Sequence, residues 1–131
     1  MLSRLQISNY VLIDSLEIDF PKGLVIITGD SGAGKSILLG ALSLLQGAKA
    51  DAAMLGRTDR NCVVEADFEA DPKDVVIRYA MEENGIDWPS DNVLTIRRIV
   101  APTGRSRAFI NDCPVNVQSL LSVASRSIDI H

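Results

Sequence analysis

Residues 24–46 constrain the fold more tightly than any other part of the chain. A continuous apolar run rich in β-branched residues, Leu24-Val25-Ile26-Ile27, leads into a glycine-rich stretch and then into a segment with helical periodicity. Such a run suits a strand buried on both faces of a central sheet. Within residues 37–46, Leu38, Ala41, Leu42 and Leu45 recur at the spacing that places them on one helix face, and Gly47 is a natural stop. Strand, glycine-rich turn and helix in that order make the chain α/β.

The connecting residues Gly29-Asp30-Ser31-Gly32-Ala33-Gly34-Lys35-Ser36 fit the phosphate-binding P-loop pattern G-x-x-x-x-G-K-[ST]. Ordinary residue frequencies give a chance match in about one chain in a few hundred of this length. The strand-to-helix context that the chemistry needs is also present, so a ligand-free glycine turn is the weaker reading. The glycines let backbone N–H groups approach phosphate oxygens with no Cβ in the way. Lys35 offers a point charge to the β- and γ-phosphates, and Ser36 a hydroxyl ligand to Mg²⁺. The helix start aims its positive dipole end at the same anion. Gly29, Asp30, Ser31, Gly32, Ala33, Gly34, Lys35 and Ser36 are therefore the expected ATP-binding residues, with Ser36 on Mg²⁺.

Hydrolysis also needs a carboxylate on Mg²⁺, usually an Asp that ends an apolar strand. Asp129 follows a single apolar residue, Ile128, while Val11-Leu12-Ile13-Asp14 has the right composition but precedes the P-loop. No catalytic residue is assigned, and nucleotide binding without efficient turnover is the expectation for this chain alone.

Elsewhere, residues 2–9 alternate as a strand, with Leu5 and Ile7 on one face, and residues 11–20 alternate again, with Leu16, Ile18 and Phe20 opposite Ser15, Glu17 and Asp19. Two alternating strands joined at Asn9-Tyr10 predict an antiparallel pair with one wet face. Pro21-Lys22-Gly23 reads as a turn, residues 48–61 as a loop with one helical turn, and residues 62–68 as a strand. A helix is expected from Asp71-Pro72 to Asn84-Gly85. Residues 93–100 and 105–110 should pair as a hairpin, followed by a turn at Asn111-Asp112 and a helix over 117–125 capped by Asn116. Residues 127–131 read as a strand beginning, and the pattern implies a piece of something longer.

At 131 residues, 47% hydrophobic and 23% charged, the chain has the balance of one globular domain. Its apolar runs are too short to span a bilayer, and residues 1–10 lack the apolar region of a signal peptide, so cytoplasmic residence is expected. A net charge of −4 makes the chain alone a poor candidate for strong DNA binding, although a local basic patch is compatible with it. Cys62 and Cys113 match no metal-site spacing and are expected to be buried, reduced thiols.

The opening LSRLQISNYVLIDSLEIDFPKGLVIITGDSGAGKS resembles the start of SMC-like ABC ATPases and, within them, the RecN family of bacterial DNA repair proteins. That family begins with a strand ending in Asn-Tyr or Asn-Phe, an Ile-Asp turn, a strand ending in Phe, and a P-loop of T-G-E-S-G-A-G-K-S type. Asp30 stands here where Glu is more usual. The similarity continues at Lys49-Ala50-Asp51, at Arg97-Arg98, at Gly104-Arg105-Ser106-Arg107-Ala108-Phe109-Ile110-Asn111, and at Ile128-Asp129-Ile130-His131. It covers essentially the whole chain, and residues 104–111 are its most discriminating part.

The resemblance implies a split ATPase head. The N-terminal lobe holds the P-loop, a long antiparallel coiled coil follows, and a C-terminal lobe brings the signature motif, the Mg²⁺-ligating Asp and the catalytic Glu. Two heads sandwich two ATP molecules. By that resemblance, residues 1–131 are the N-terminal lobe, ending just before the Q-loop glutamine: a P-loop NTPase lobe of ABC/SMC type with a mixed sheet and antiparallel strands preceding the P-loop. The implied partners are the C-terminal lobe of the same head, a second head in an ATP-bound homodimer, and DNA reached through the full-length protein, with no membrane. The implied role is double-strand break repair by recombination, in the cytoplasm and associated with the nucleoid. Two rivals share the P-loop. A small-molecule kinase should carry its own carboxylates and a basic lid, and the two strands before the P-loop do not suit it. Another SMC-like ATPase, acting in chromosome organisation, shares every physical feature, and only residues 104–111 separate it.

Arg97, Arg98, Arg105 and Arg107 crowd the predicted hairpin. A solvated face paired with acids is the ordinary expectation, and contact with DNA or a partner head is the functional one. Lys49, Arg57 and Arg60 lie in the loop after the P-loop helix, within reach of an approaching nucleotide or DNA. Asn9 and Tyr10 are candidates for the adenine side of the site, although turn chemistry explains Asn9 equally well. Trp88 beside Pro89 reads as a packing contact.

Overall fold

Alternating apolar and polar residues give a strand one dry and one wet face, and four strands of this chain carry that pattern. The computed structural model describes residues 2–20 and 32–127. Along the chain run β1 (Leu2–Tyr10), β2 (Ile13–Asp19), α1 (Gly32–Leu45), β3 (Cys62–Glu69), α2 (Val75–Glu83), β4 (Val93–Val100), β5 (Ser106–Ile110), β6 (Cys113–Val115) and α3 (Val117–Ser127). The turn expected at 21–23, the strand at 24–27 and residues 128–131 lie outside the described residues.

The described strands form one six-stranded sheet in the order β2-β1-β3-β4-β5-β6, with every pairing antiparallel. The mixed character expected of the sheet rests on residues 24–27, which are not among them. Leu5 and Ile7 of β1, Cys62, Val64, Ala66 and Phe68 of β3, Leu94, Ile96 and Val100 of β4, and Ala108 and Ile110 of β5 are buried and form the dry face. α1 packs on that face against β3 and β4, α3 against β5 and α1, and α2 against α3. Ala41, Leu42 and Leu45 are buried as their spacing predicts, Leu44 joins them, and Leu38 is half-buried. α1 ends in a Schellman motif: Ala48 N–H donates to Ser43 O at 3.0 Å and Gly47 N–H to Leu44 O at 3.2 Å, with Gly47 at φ +89°.

The wet face is held by charge. Arg4 Nε donates to Asp67 Oδ2 at 2.8 Å and Arg4 Nη2 to Glu65 Oε2 at 2.7 Å, while Thr95 Oγ1 donates to Asp67 Oδ1 at 2.6 Å. Arg97 lies 3.7 Å from Glu65, pairs with Asp112 and stacks over Phe109 at 5.1 Å. Burial alone would push the Asp67 carboxyl up. The hydrogen bonds from Arg4 and Thr95, together with the Arg4 charge, outweigh burial and hold it below the usual range.

Several boundaries differ from the sequence reading. β1 continues through Tyr10, and the turn falls at Val11-Leu12, so the second strand begins at Ile13. Val11 at φ +48° is held there by its N–H, which donates to Met54 O at 2.9 Å. α2 starts at Val75 and not at Asp71-Pro72. The Asp71 carboxylate accepts from Lys73 N–H at 2.9 Å in a separate turn, and Asp74 is the true cap, accepting from Val76 N–H at 3.0 Å. Asn111 and Asp112, at φ +49° and +64°, make a two-residue hairpin turn that adds β6, an edge strand short enough to tolerate Pro114. Asn116 caps α3 as expected, accepting from Ser119 N–H at 2.7 Å, but the helix runs on through Ser127, where the sequence pattern predicts the start of a strand.

Two outcomes follow from this packing. A Cβ added at Gly40 would lie 2.4 Å from Tyr10 Oη but 3.5 Å from its ring carbon. Gly40→Ala should therefore destabilise the wild-type background by about 1–3 kcal/mol through overpacking. In a Tyr10→Phe background the same change should gain about 1 kcal/mol from helix propensity. Chemical unfolding of the four combinations measures both. The depressed Asp67 pKa contributes stability above the ordinary Asp value, and that stability is lost as pH falls through the lower folded value. The urea midpoint gap between wild type and Asp67→Asn should be wide at neutral pH and should close in acid.

Candidate nucleotide-binding site

An α-helix leaves its first N–H groups without intrahelical partners and is electropositive at that end, so its starting point decides where it can hold an anion. α1 begins at Gly32, inside the glycine-rich motif and not after it, so the backbone of Gly32, Ala33, Gly34, Lys35 and Ser36 opens the helix. No acidic residue occupies that first turn, so no carboxylate of the turn neutralises the positive end. Gly29, Asp30 and Ser31 lie outside the described residues. A helix start made of glycine and small residues, followed by a lysine and a hydroxyl, fits Mg-nucleotide.

The opposite end of α1 is gripped by Arg98. Its Nη1 donates to Leu44 O at 2.9 Å and to Ala48 O at 2.6 Å, and its Nη2 to Ser106 Oγ at 3.1 Å. Arg98 is 3% exposed, which overturns its expected place on a solvated, acid-paired face. Successive residues of a strand point to opposite faces, so Arg97 joins the wet face and Arg98 the dry face between Ile96 and Val100. Burial lowers the Arg98 pKa from its ordinary value. Arg105 and Arg107 are exposed, Arg107 lying over Phe109 at 5.7 Å.

The loop after α1 is tied to the first hairpin by Asn9, which is buried with φ +54°. Its Nδ2 donates to Arg57 O at 2.9 Å and Arg60 O at 3.1 Å, and its Oδ1 accepts from Arg57 N–H at 2.6 Å. Gly56 sits tight in this junction, where an added Cβ would meet Val11 O at 2.5 Å. Tyr10 packs its hydroxyl end against Gly40. Both side chains considered for the adenine side are thus committed to holding α1 and its loop. The loop presents Lys49, Arg57 and Arg60 to solvent, with Arg57 3.3 Å from Asp59.

The second hairpin reaches the same end of the sheet. Cys62 pairs with Val100 and Val100 with Ser106, and a Cβ at Gly104 would lie 3.7 Å from Ala52 N. Lys49, Arg57, Arg60, Arg105 and Arg107, singled out separately in the sequence, therefore gather at one end of the molecule. Asp14 is exposed on the edge strand β2. Trp88 packs against the core, donates from Nε1 to Asn92 Oδ1 at 2.7 Å, and lies 4.9 Å under the Arg78 guanidinium. Cys62 is buried as expected, with its thiol pushed up by burial to about 11, whereas Cys113 is only half-buried. No helix among the described residues is long and apolar enough to cross a membrane.

Residues 4–117 match the AAA domain family. Over 131 residues the chain is 37% identical to DNA repair protein RecN of Vibrio cholerae and 33% identical to DNA repair protein RecN of Bacillus subtilis. It is covered entirely in both alignments but spans only 23% and 22% of those relatives. A solved chain from work on ATP-driven dimerization and DNA-stimulated activation of SMC ATPases superposes with a TM-score of 0.67 at 20% identity, covering 95% of this chain and 77% of that one. The SMC head domain from Thermotoga maritima gives 0.60 at 20% identity, covering 91% of this chain and 40% of the other. The chain belongs to the AAA domain family, with the fold of an SMC-type ATPase head lobe and a sequence similar throughout to RecN.

Proposed function

We propose that this chain is the N-terminal, nucleotide-binding lobe of a RecN-like ATPase acting in DNA double-strand break repair and recombination, in the cytoplasm and associated with the nucleoid. The observation that carries the reading is the start of α1 at Gly32, inside the P-loop motif, on a sheet of SMC-head type. Backbone N–H groups of Gly29, Asp30, Ser31, Gly32, Ala33 and Gly34 would cradle the phosphates of ATP, Lys35 would neutralise the β- and γ-oxygens, and Ser36 would ligate Mg²⁺. When bound, Mg²⁺ supplies charge neutralisation across the β- and γ-phosphates. This lobe binds and orients. The carboxylates and the signature motif would come from the C-terminal lobe of the same head, and a second head would close over the nucleotide.

Identity to RecN relatives of 29–37% over essentially the whole chain favours this reading over a chromosome-organising SMC protein, whose solved heads are 20% identical. The antiparallel β1–β2 pair on an SMC-type sheet counts against a small-molecule kinase. DNA would be met by the full-length protein. At one end of the sheet the exposed cations Lys49, Arg57, Arg60, Arg105 and Arg107 outnumber the exposed acids Asp51 and Asp59 of the same loop, on a chain whose net charge is −4, and a local basic excess suits a phosphate backbone.

Calorimetry on the chain should show Mg-ATP binding that Lys35→Ala abolishes. Binding unaltered by the substitution would remove the P-loop assignment. For the full-length protein on duplex DNA, Arg105→Ala with Arg107→Ala should lower the slope of log affinity against log salt by about two, near one per lost phosphate contact. An unchanged slope would place the DNA surface elsewhere.

A further inference from the structure

Among the residues whose side-chain burial is described, Arg98 is the only charged one that is buried. An unpaired buried cation is costly, yet Arg98 takes part in none of the ion pairs among those residues. Its Nε has no partner, and its other nitrogens are directed at the C-terminal cap of α1 and at Ser106 of β5. α1 has no basic residue in its own last turn. The cation that a helix C-terminus favours is here delivered by β4.

We propose that Arg98 is a positioning residue for the nucleotide site, clasping the capped end of α1 so that the other end of the helix is held where phosphate binds. This rests on the nucleotide-binding reading above. The apolar contacts of Ala41, Leu42, Leu44 and Leu45 hold α1 on the sheet but are non-directional and permit sliding. The bonds to Leu44 O and Ala48 O are directional, and they grip both carbonyls on either side of the Schellman turn. A helix of 14 residues is a rod about 21 Å long, so a tilt of about 5° at the clasp moves the far end by about 2 Å. Displacements of that order matter where geometry sets binding and catalysis.

The test uses Arg98→Met, which keeps an unbranched chain but no donors, Arg98→Lys, which keeps the charge without the planar fork, and Ser106→Ala, which removes only the β5 contact. Amide hydrogen exchange of α1, β1 and β3 is measured without nucleotide, and Mg-ATP affinity is measured by calorimetry. In Arg98→Met, α1 should exchange at least tenfold faster while β1 and β3 hold their rates, and Mg-ATP should bind at least tenfold more weakly. Arg98→Lys should recover part of both, and Ser106→Ala should stay near wild type; if Arg98→Met does not fold, Arg98→Lys carries the comparison. Unchanged α1 exchange, equal acceleration of α1, β1 and β3, or a loosened α1 with unaltered affinity would each overturn the proposal. No Mg-ATP binding by the wild-type chain would overturn the nucleotide reading and the positioning role with it. The exchange arm, read without nucleotide, tells that failure apart from failure of the clasp.

Discussion

The dry face of the antiparallel sheet is the constraint on which the rest of the molecule depends. β1, β3, β4 and β5 each place every second side chain on that face, and α1 and α3 bury their apolar stripes against it. A one-residue slip in any of these strands would turn its apolar set to the wet side, so the register is strongly specified. The wet face adds a second lock, because Arg4 bridges Glu65 and Asp67 of β3 in the one register that brings all three together. The platform is therefore fixed from both sides, and a helix laid on it has a defined place. For a protein whose proposed work is to present helix N–H groups to phosphate, that is the property that matters.

Local patterns were legible in the sequence, and long-range commitments were not. The P-loop pattern is carried by eight consecutive residues, of which Gly29, Asp30 and Ser31 lie outside the described residues, and the helix expected after it is present from Gly32. The β1–β2 and β4–β5 hairpins follow from alternation, and the caps at Gly47 and Asn116 from residues that favour such positions. Composition places Arg98 on the surface, although alternation carries the opposite signal, since a strand that turns Arg97 to the wet face must turn Arg98 inward. A charge in an apolar register is easily read as surface when its acceptors, the carbonyls of Leu44 and Ala48, lie 54 and 50 residues away in the chain. Asn9 shows the same limit. It has the composition of a turn residue, but its partners in the loop are 48 and 51 residues distant. The late start of α2 reflects two competing aspartates, Asp71 closing a turn and Asp74 capping the helix, which sequence spacing alone could not order.

The same long-range contacts give the basic residues a common address. Asn9 holds the carbonyls of Arg57 and Arg60, and the β4–β5 turn approaches Ala52, so two segments far apart in sequence share one end of the sheet. Arg98 links that end to α1 through Ser106 and the helix cap. The helix whose start is proposed to hold phosphate is thus connected through Arg98 to the end of the sheet where the basic residues lie.

The most direct test of the central claim, that this is one lobe of a split ATPase head, is ATP hydrolysis after reunion with the C-terminal lobe supplied as a separate polypeptide, in the presence of DNA. The account predicts negligible turnover by either lobe alone, turnover when the two are combined, and its loss with Lys35→Ala in this chain. Hydrolysis by the C-terminal lobe alone, or a reunited head that binds ATP without ever turning it over, would contradict it.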